Sequence, residues 1–223
     1  MREITFDTET TGIDPNSGHR IIEIGCVELI DKVRTGEVYH VYINPQRDIP
    51  KSSTDVHGLT MGFLSDKPVF SQVAKDFLDF IRGDRLVIHN AAFDLKFINS
   101  ELGKLDFPLV EFERATDTLN MAREKFPGAK ASLDALCNRF GIDLSKREKH
   151  GALLDAELLA DVYIELIGGT QGAMQLDENE IKYEEKTVRR RKYLAKRSFE
   201  VSKEELDAHK QFLSNIKEPL WDV

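Results

Sequence analysis

Apolar positions in residues 1–6 fall on Ile4 and Phe6, the every-second-residue pattern of a half-buried strand. Residues 20–30, RIIEIGCVELI, form a long Ile- and Val-rich run that suits a second strand. Residues 31–37 contain Asp31 and Gly36 and read as a turn, and 38–43 alternate as a third strand. These three predict an antiparallel meander. Residues 44–68, punctuated by Pro45, Pro50, Gly58, Gly62 and Pro68, are expected to be a long loop. The period then changes. Phe70, Val73, Phe77, Leu78 and Ile81 lie at helical spacing, and RLVIH at 85–89 reads as a short buried, parallel strand. Helices are expected over 91–102 after Asn90 as cap, over 115–126, over 132–140 between Ser132 and Gly141, and over 151–167. Strands first, then helix, strand and helices, is an α/β order: a mixed sheet with helices on its faces.

After Gly169 the pattern dissolves. Residues 170–180 are small and polar, and 182–197 carry eight Lys and Arg, the look of a solvated or interacting arm. A helix returns over 202–216, with Ser202 and Glu205 as a capping box and Leu206, His209, Leu213 and Ile216 on one face. The chain is thus expected to divide into a folded domain at 1–169, a linker at 170–182 and a basic, partly helical tail at 183–223.

The 223 residues carry a net charge of −8, which argues against a stand-alone protein that grips nucleic acid through many phosphates. It leaves open an enzyme whose metals meet the phosphate, or one brought to DNA by a partner. No apolar run reaches the ~18 residues of a membrane span. The N-terminus shows no leader pattern, and Cys26 and Cys137 lack CxxC spacing. The expected setting is therefore the cytoplasm, with both thiols buried and free.

Residues two apart in a strand share a side, so Asp7 and Glu9 aim two carboxylates at one spot near the end of the first strand. Like charges so placed persist when a cation holds them, and hard oxygen donors suit Mg²⁺ or Mn²⁺. Asp94, in the first turns of its helix, and Asp155, one turn into the last helix of the domain, could join them. His150 fits best on the loop before Gly151, over a metal held by Asp155. Four carboxylates could hold two divalent ions about 3.5–4 Å apart, with His150 taking a proton from water, which is metal-assisted phosphodiester hydrolysis. Each residue alone has a plainer account. Asp94 could favour its helix N-terminus, Asp155 could lie on the surface, and His150 could be an exposed loop residue. His57 could be structural, His89 a hydrogen-bonded wall residue, and Asp117 a cap.

Read together, DTETTG at 7–12, HNAAFD at 89–94 and HGALLD at 150–155 resemble the three motifs of the DEDDh exonucleases. The stretches RIIEIGCVELI, VHGLT, LVIHNAAFD, SLDALCNRFGID and HGALLDAELLADVY extend the resemblance to the proofreading branch of that family over residues 1 to about 170. The resemblance implies a ribonuclease-H-like mixed five-stranded sheet flanked by helices, with a flexible C-terminal tail. It implies 3′-to-5′ hydrolysis of single-stranded or frayed DNA ends with two Mg²⁺ or Mn²⁺ ions. It makes Asp7, Glu9, Asp94 and Asp155 the metal ligands and His150 the general base. Asp7, Glu9, Asp155 and His57 would meet the substrate, His57 at the terminal nucleotide. Many relatives carry a glutamate a few residues before that histidine, where this chain has Ser52 or Ser53. Gln171, Met174 and Leu176 resemble a sliding-clamp peptide without its closing aromatic. Leu220 and Trp221 resemble the terminal anchor on the polymerase (alpha) subunit, and a small third subunit is a further partner of such enzymes. Two other readings stay open: a stand-alone exonuclease acting on RNA ends or short oligonucleotides, and a polymerase adaptor with a dead site. The tail speaks against the first, and the filled catalytic positions against the second.

Overall fold

The strand that carries Asp7 and Glu9 lies in the middle of the sheet. The computed structural model describes residues 1–145, 147, 149–168 and 201–215. Its five strands run in the order β3-β2-β1-β4-β5, with β1 Arg2–Thr10, β2 Ile21–Ile30, β3 Val33–Tyr42, β4 Arg85–Ile88 and β5 Ala115–Asp117. β1–β2 and β2–β3 are antiparallel, whereas β1–β4 and β4–β5 are parallel. β1 continues four residues beyond the expected 1–6, so Asp7 and Glu9 sit inside the strand rather than past its end.

The predicted turn at 31–37 shrinks to Asp31 and Lys32, both with positive φ (49° and 67°), a two-residue hairpin of the twist that suits antiparallel strands. Gly36, at φ 92°, lies instead within β3, where the register with β2 slips between Val27 and Leu29. The expected loop at 44–68 contains two short helices, α1 Lys51–His57 and α2 Met61–Leu64. Pro50 directly precedes α1, a position proline tolerates because the first N–H groups of a helix have no internal partner. The helix expected over 115–126 is split: its first three residues pair with β4 as β5, and α5 Thr118–Lys125 follows. The remaining helices keep close to expectation: α3 Phe70–Ile81, α4 Ala91–Gly103, α6 Leu133–Phe140 and α7 Ala152–Leu166.

The two faces of β1 go to different partners. Ile4 and Phe6 are fully buried among Phe77 and Ile81 of α3 and Leu95, Phe97 and Ile98 of α4. On the other face the Thr5 hydroxyl donates to the Ala156 carbonyl of α7 at 2.8 Å, and the Tyr163 hydroxyl donates to Glu3 at 2.8 Å. α7 lies very close to the sheet, with Ala152, Ala156 and Ala160 fully buried. At Gly25 of β2 there is no room for any side chain: a Cβ there would stand 2.3 Å from the Ala152 carbonyl carbon. Gly25 is the cross-strand neighbour of Asp7, so this approach brings the start of α7 over the acidic end of β1. A further apolar cluster joins Leu133, Leu136 and Cys137 of α6 to Leu158 and Val162 of α7. Cys26 and Cys137 are buried and unpaired, as expected.

The chain divides into two units, Met1–Gln175 and Leu176–Val223. Described within the second is α8 Lys203–Ser214, started by the expected capping box: Ser202 Oγ accepts from the Glu205 N–H at 3.2 Å, and Glu205 accepts from the Ser202 N–H at 3.1 Å. Gln171, Met174, Leu176, Leu220 and Trp221 lie outside the described residues. Among the described residues no helix is long and apolar enough to cross a membrane.

Candidate active site

Three remote segments converge at the end of β1. Strand geometry puts Asp7 and Glu9 on the α7 side. Asp94, in the first turn of α4, reaches the cluster from below, 2% exposed, and its Oδ1 accepts from the Thr8 hydroxyl at 2.7 Å. Asp155, in the first turn of α7, is 4% exposed. His150 stands on the loop before α7, as expected, with Nδ1 3.1 Å from Asp155 Oδ2. Ligand atoms of Glu9, His150 and Asp155 lie within 4.8 Å of one another. Asn90 does not cap α4 with its side chain; it takes a left-handed conformation at φ 70°. Asp117 does that work, accepting from the N–H groups of Asn90 (3.1 Å) and Ala91 (3.3 Å) while also capping α5 through Leu119 N–H at 2.9 Å. His89 is the expected wall residue, with Nδ1 3.0 Å from the Thr118 hydroxyl.

Burial and crowding leave the cluster short of positive charge. Desolvation, then the charge of Asp155, pushes the Glu9 carboxyl up to about 8. Desolvation raises Asp94 to about 7 against the hydrogen bond from Thr8. Asp7 keeps part of its surface open to the cleft, yet desolvation and then the charges of Asp94, Asp155 and Glu9 hold it well above the usual carboxylate range. Such a set of hard oxygen donors fits divalent cations. The sign of its pH dependence follows. Folded-state values above the ordinary 4.5 and 3.8 mean that the folded protein holds more protons than the unfolded chain between about pH 4 and 8. The metal-free protein should therefore lose stability as pH rises through that window and keep this contribution in full only below it. Melting curves in chelator at pH 6 and pH 8 should show the fall, and saturating Mg²⁺ should flatten it; a flat profile in chelator would contradict the charge balance described.

Three participants were not foreseen. Glu23, 3% exposed, stands opposite Glu9 across the β1–β2 pair and holds His40 Nε2 at 2.8 Å. A glutamate between isoleucines in a largely apolar strand was the available signal. Thr8, between the two carboxylates of β1, anchors Asp94. Arg147 grips Asp155 with two bonds, Nε to Oδ1 at 2.5 Å and a terminal nitrogen to Oδ2 at 2.6 Å, and also reaches Asp134 and His150 Nδ1. Nothing in its charged loop distinguishes it from a solvated residue.

Two clefts flank the acids. One, of about 540 Å³, is lined by Asp7, His89, Arg123, Arg147, His150 and Asp155 among others. The other, of about 580 Å³, is lined by Glu9, Thr10, Gly12, Ser52, Ser53, His57 and Phe93 among others. His57 ends α1 rather than lying in a loop, and it is buried. Its Nδ1 accepts from the Leu59 N–H at 3.0 Å, so the proton sits on Nε2, which is buried and has no partner. Burial lowers its pKa, keeping the ring neutral.

A mixed sheet of this order, with buried carboxylates gathered where its central strand meets two helix starts, defines a nuclease of the metal-dependent, ribonuclease-H-like class. The Exonuclease family model matches residues 4–163. Of solved structures, exonuclease X in complex with 5′-overhanging duplex DNA is 26% identical, covers 74% of this chain and 90% of that one, and superposes with a TM-score of 0.59. The nuclease domain of 3′hExo, a DEDDh family member bound to rAMP, shares the fold at 19% identity and a TM-score of 0.65, covering 74% and 91%. Two curated relatives are the DNA polymerase III subunits epsilon of Rickettsia felis, 50% identical over 97% of both chains, and of Salmonella typhimurium, 46% identical over 97% of this chain and 93% of that one. The chain belongs to the exonuclease family, within its group of DNA polymerase III epsilon subunits. The DEDDh exonucleases use divalent metal ions.

Proposed function

We propose that this chain removes misincorporated nucleotides from DNA 3′ ends as the proofreading subunit of DNA polymerase III, hydrolysing the terminal phosphodiester with two divalent ions, Mg²⁺ or Mn²⁺. The observation that carries the reading is the convergence of Asp7, Glu9, Asp94 and Asp155 beside His150, carboxylates too crowded to be charged together without cations. Those four carboxylates would hold the ions, which would polarise the attacking water and stabilise charge at phosphorus and on the leaving 3′ oxygen. His150, with its side chain 45% exposed at the cleft edge, takes the proton from that water. The cleft beside Glu9 takes the departing nucleotide: Phe93 offers a ring face and His57 Nε2 a ready donor. Ser52 and Ser53 line this cleft, and the Ser53 hydroxyl donates to the Thr11 carbonyl at 3.0 Å, holding the cleft wall.

Similarity over 97% of both chains includes the C-terminal region and favours a polymerase subunit over a stand-alone trimming enzyme. In this reading, 171–176, with Gln171, Met174 and Leu176, touches the sliding clamp. Leu220 and Trp221 anchor the chain on the polymerase alpha subunit, and a small third subunit completes a cytoplasmic replisome core. The test uses the full chain and a 5′-labelled primer with a mismatched 3′ end. Stepwise shortening by single nucleotides with Mg²⁺ or Mn²⁺, and none in chelator, is expected; cleavage in chelator overturns the mechanism. Deleting 183–223 is expected to spare hydrolysis of single strands and to lose co-purification of the polymerase subunit. A truncated chain that still brings the polymerase down rules out the assignment of the tail.

A further inference from the structure

We propose that Arg147 is a resident counter-cation of the metal-free site, holding Asp155 and His150 until a divalent ion displaces it. The guanidinium engages both oxygens of Asp155, at 2.5 and 2.6 Å, which is the planar fork-on-fork pairing that makes arginine–carboxylate bonds strong. Its side chain is only 8% exposed, and Asp134 holds it from the outer side. A divalent cation at an oxygen of Asp155 would stand beside the guanidinium and be repelled by its charge, so the two compete for this carboxylate. The same displacement frees His150. Its Nδ1 cannot accept from Arg147, 2.9 Å away, and donate to Asp155, 3.1 Å away, at the same time. With Arg147 gone the imidazole is held by Asp155 alone. The released guanidinium stays in the cleft that Arg123 also lines.

This inference rests on the reading of Asp155 as a metal ligand, and the experiment separates the two. Binding of Mn²⁺ to the full chain, without DNA, is followed by electron paramagnetic resonance of the free ion. Arg147→Gln removes the competitor, so its first Mn²⁺ should bind about tenfold tighter than in the wild type, the scale of losing one charge-assisted bidentate pair. Asp134→Asn loosens the outer anchor without touching a proposed ligand and should tighten Mn²⁺ by about threefold, in proportion to one weakened contact. In chelator, Arg147→Gln should melt below the wild type, and the gap should close with saturating Mn²⁺. If Arg147 merely braces the loop, its loss would loosen Asp155 and weaken Mn²⁺ binding. Weaker or unchanged binding in Arg147→Gln overturns the inference; should that variant not fold, unchanged binding in Asp134→Asn does the same. A wild-type chain that binds no Mn²⁺ sinks the metal-site reading itself.

Discussion

Asp7→Asn is expected to cost about 10³-fold or more in hydrolysis, the scale of losing a central electrostatic group in a preorganised site, while making the metal-free protein more stable. Asp7 is crowded by Asp94, Asp155, Glu9 and Glu23, and each of these charges works against its own ionisation. A neutral amide of the same shape removes that repulsion and leaves the packing alone. At pH 8 in chelator the melting temperature should rise by about 2–4 °C, the shift that ~1 kcal/mol gives a chain of this size. Opposite movements of activity and stability distinguish a functional carboxylate from a structural one. A variant that keeps its activity, or that melts lower in chelator, would show that Asp7 supports the fold rather than the reaction.

Gly25→Ala is the second large effect, and it acts from outside the acidic cluster. The added Cβ would meet the backbone of Ala152 at 2.3 Å, and neither β2 nor the first turn of α7 is a flexible side-chain end that could swing aside. α7 must move outward. Overpacking of this kind costs about 3 kcal/mol. Asp155 rides on the first turn of α7 and Asp7 faces Gly25 across the sheet, so the shift separates these two acids directly. A misplacement of ~1 Å is enough to lower turnover about 10²-fold. Thermal melts and single-turnover rates on an oligonucleotide check the two parts. Wild-type turnover in a correctly folded Gly25→Ala protein would show that the site tolerates movement of α7.

The acids could be found from the sequence by periodicity and by motif. Alternation along β1 puts Asp7 and Glu9 on one side, and Asp94 opens the helix that follows β4, whereas Asp155 opens a helix that no strand precedes and was singled out by the resemblance of HGALLD to the third motif. What stayed hidden depends on contacts between segments. β5, Ala-Thr-Asp, leads straight into a helix and is too short to show a period of its own; only its pairing with β4 makes it a strand. α1 sits between Pro50 and Gly58, residues that punctuate loops as readily as they bracket a short helix. Gly36 drew the hairpin turn toward itself, although Asp31 and Lys32 take the positive φ angles. Lys32 then reaches Glu3 and the Tyr163 hydroxyl, which ties the turn to α7. Arg147 is the furthest from legible: its role depends on Asp155 and Asp134 arriving from two helices, which no local pattern announces.

The order of the acids along the chain has a consequence for biosynthesis. β1 leaves the ribosome first, but its two carboxylates lack their fourth companion until α7 has been made and has settled against Gly25. On the proposed assignment, a nascent or prematurely ended chain that stops short of Ala152 lacks Asp155 and is expected not to cut DNA. On that assignment the site is completed only by α7, the last helix described in Met1–Gln175.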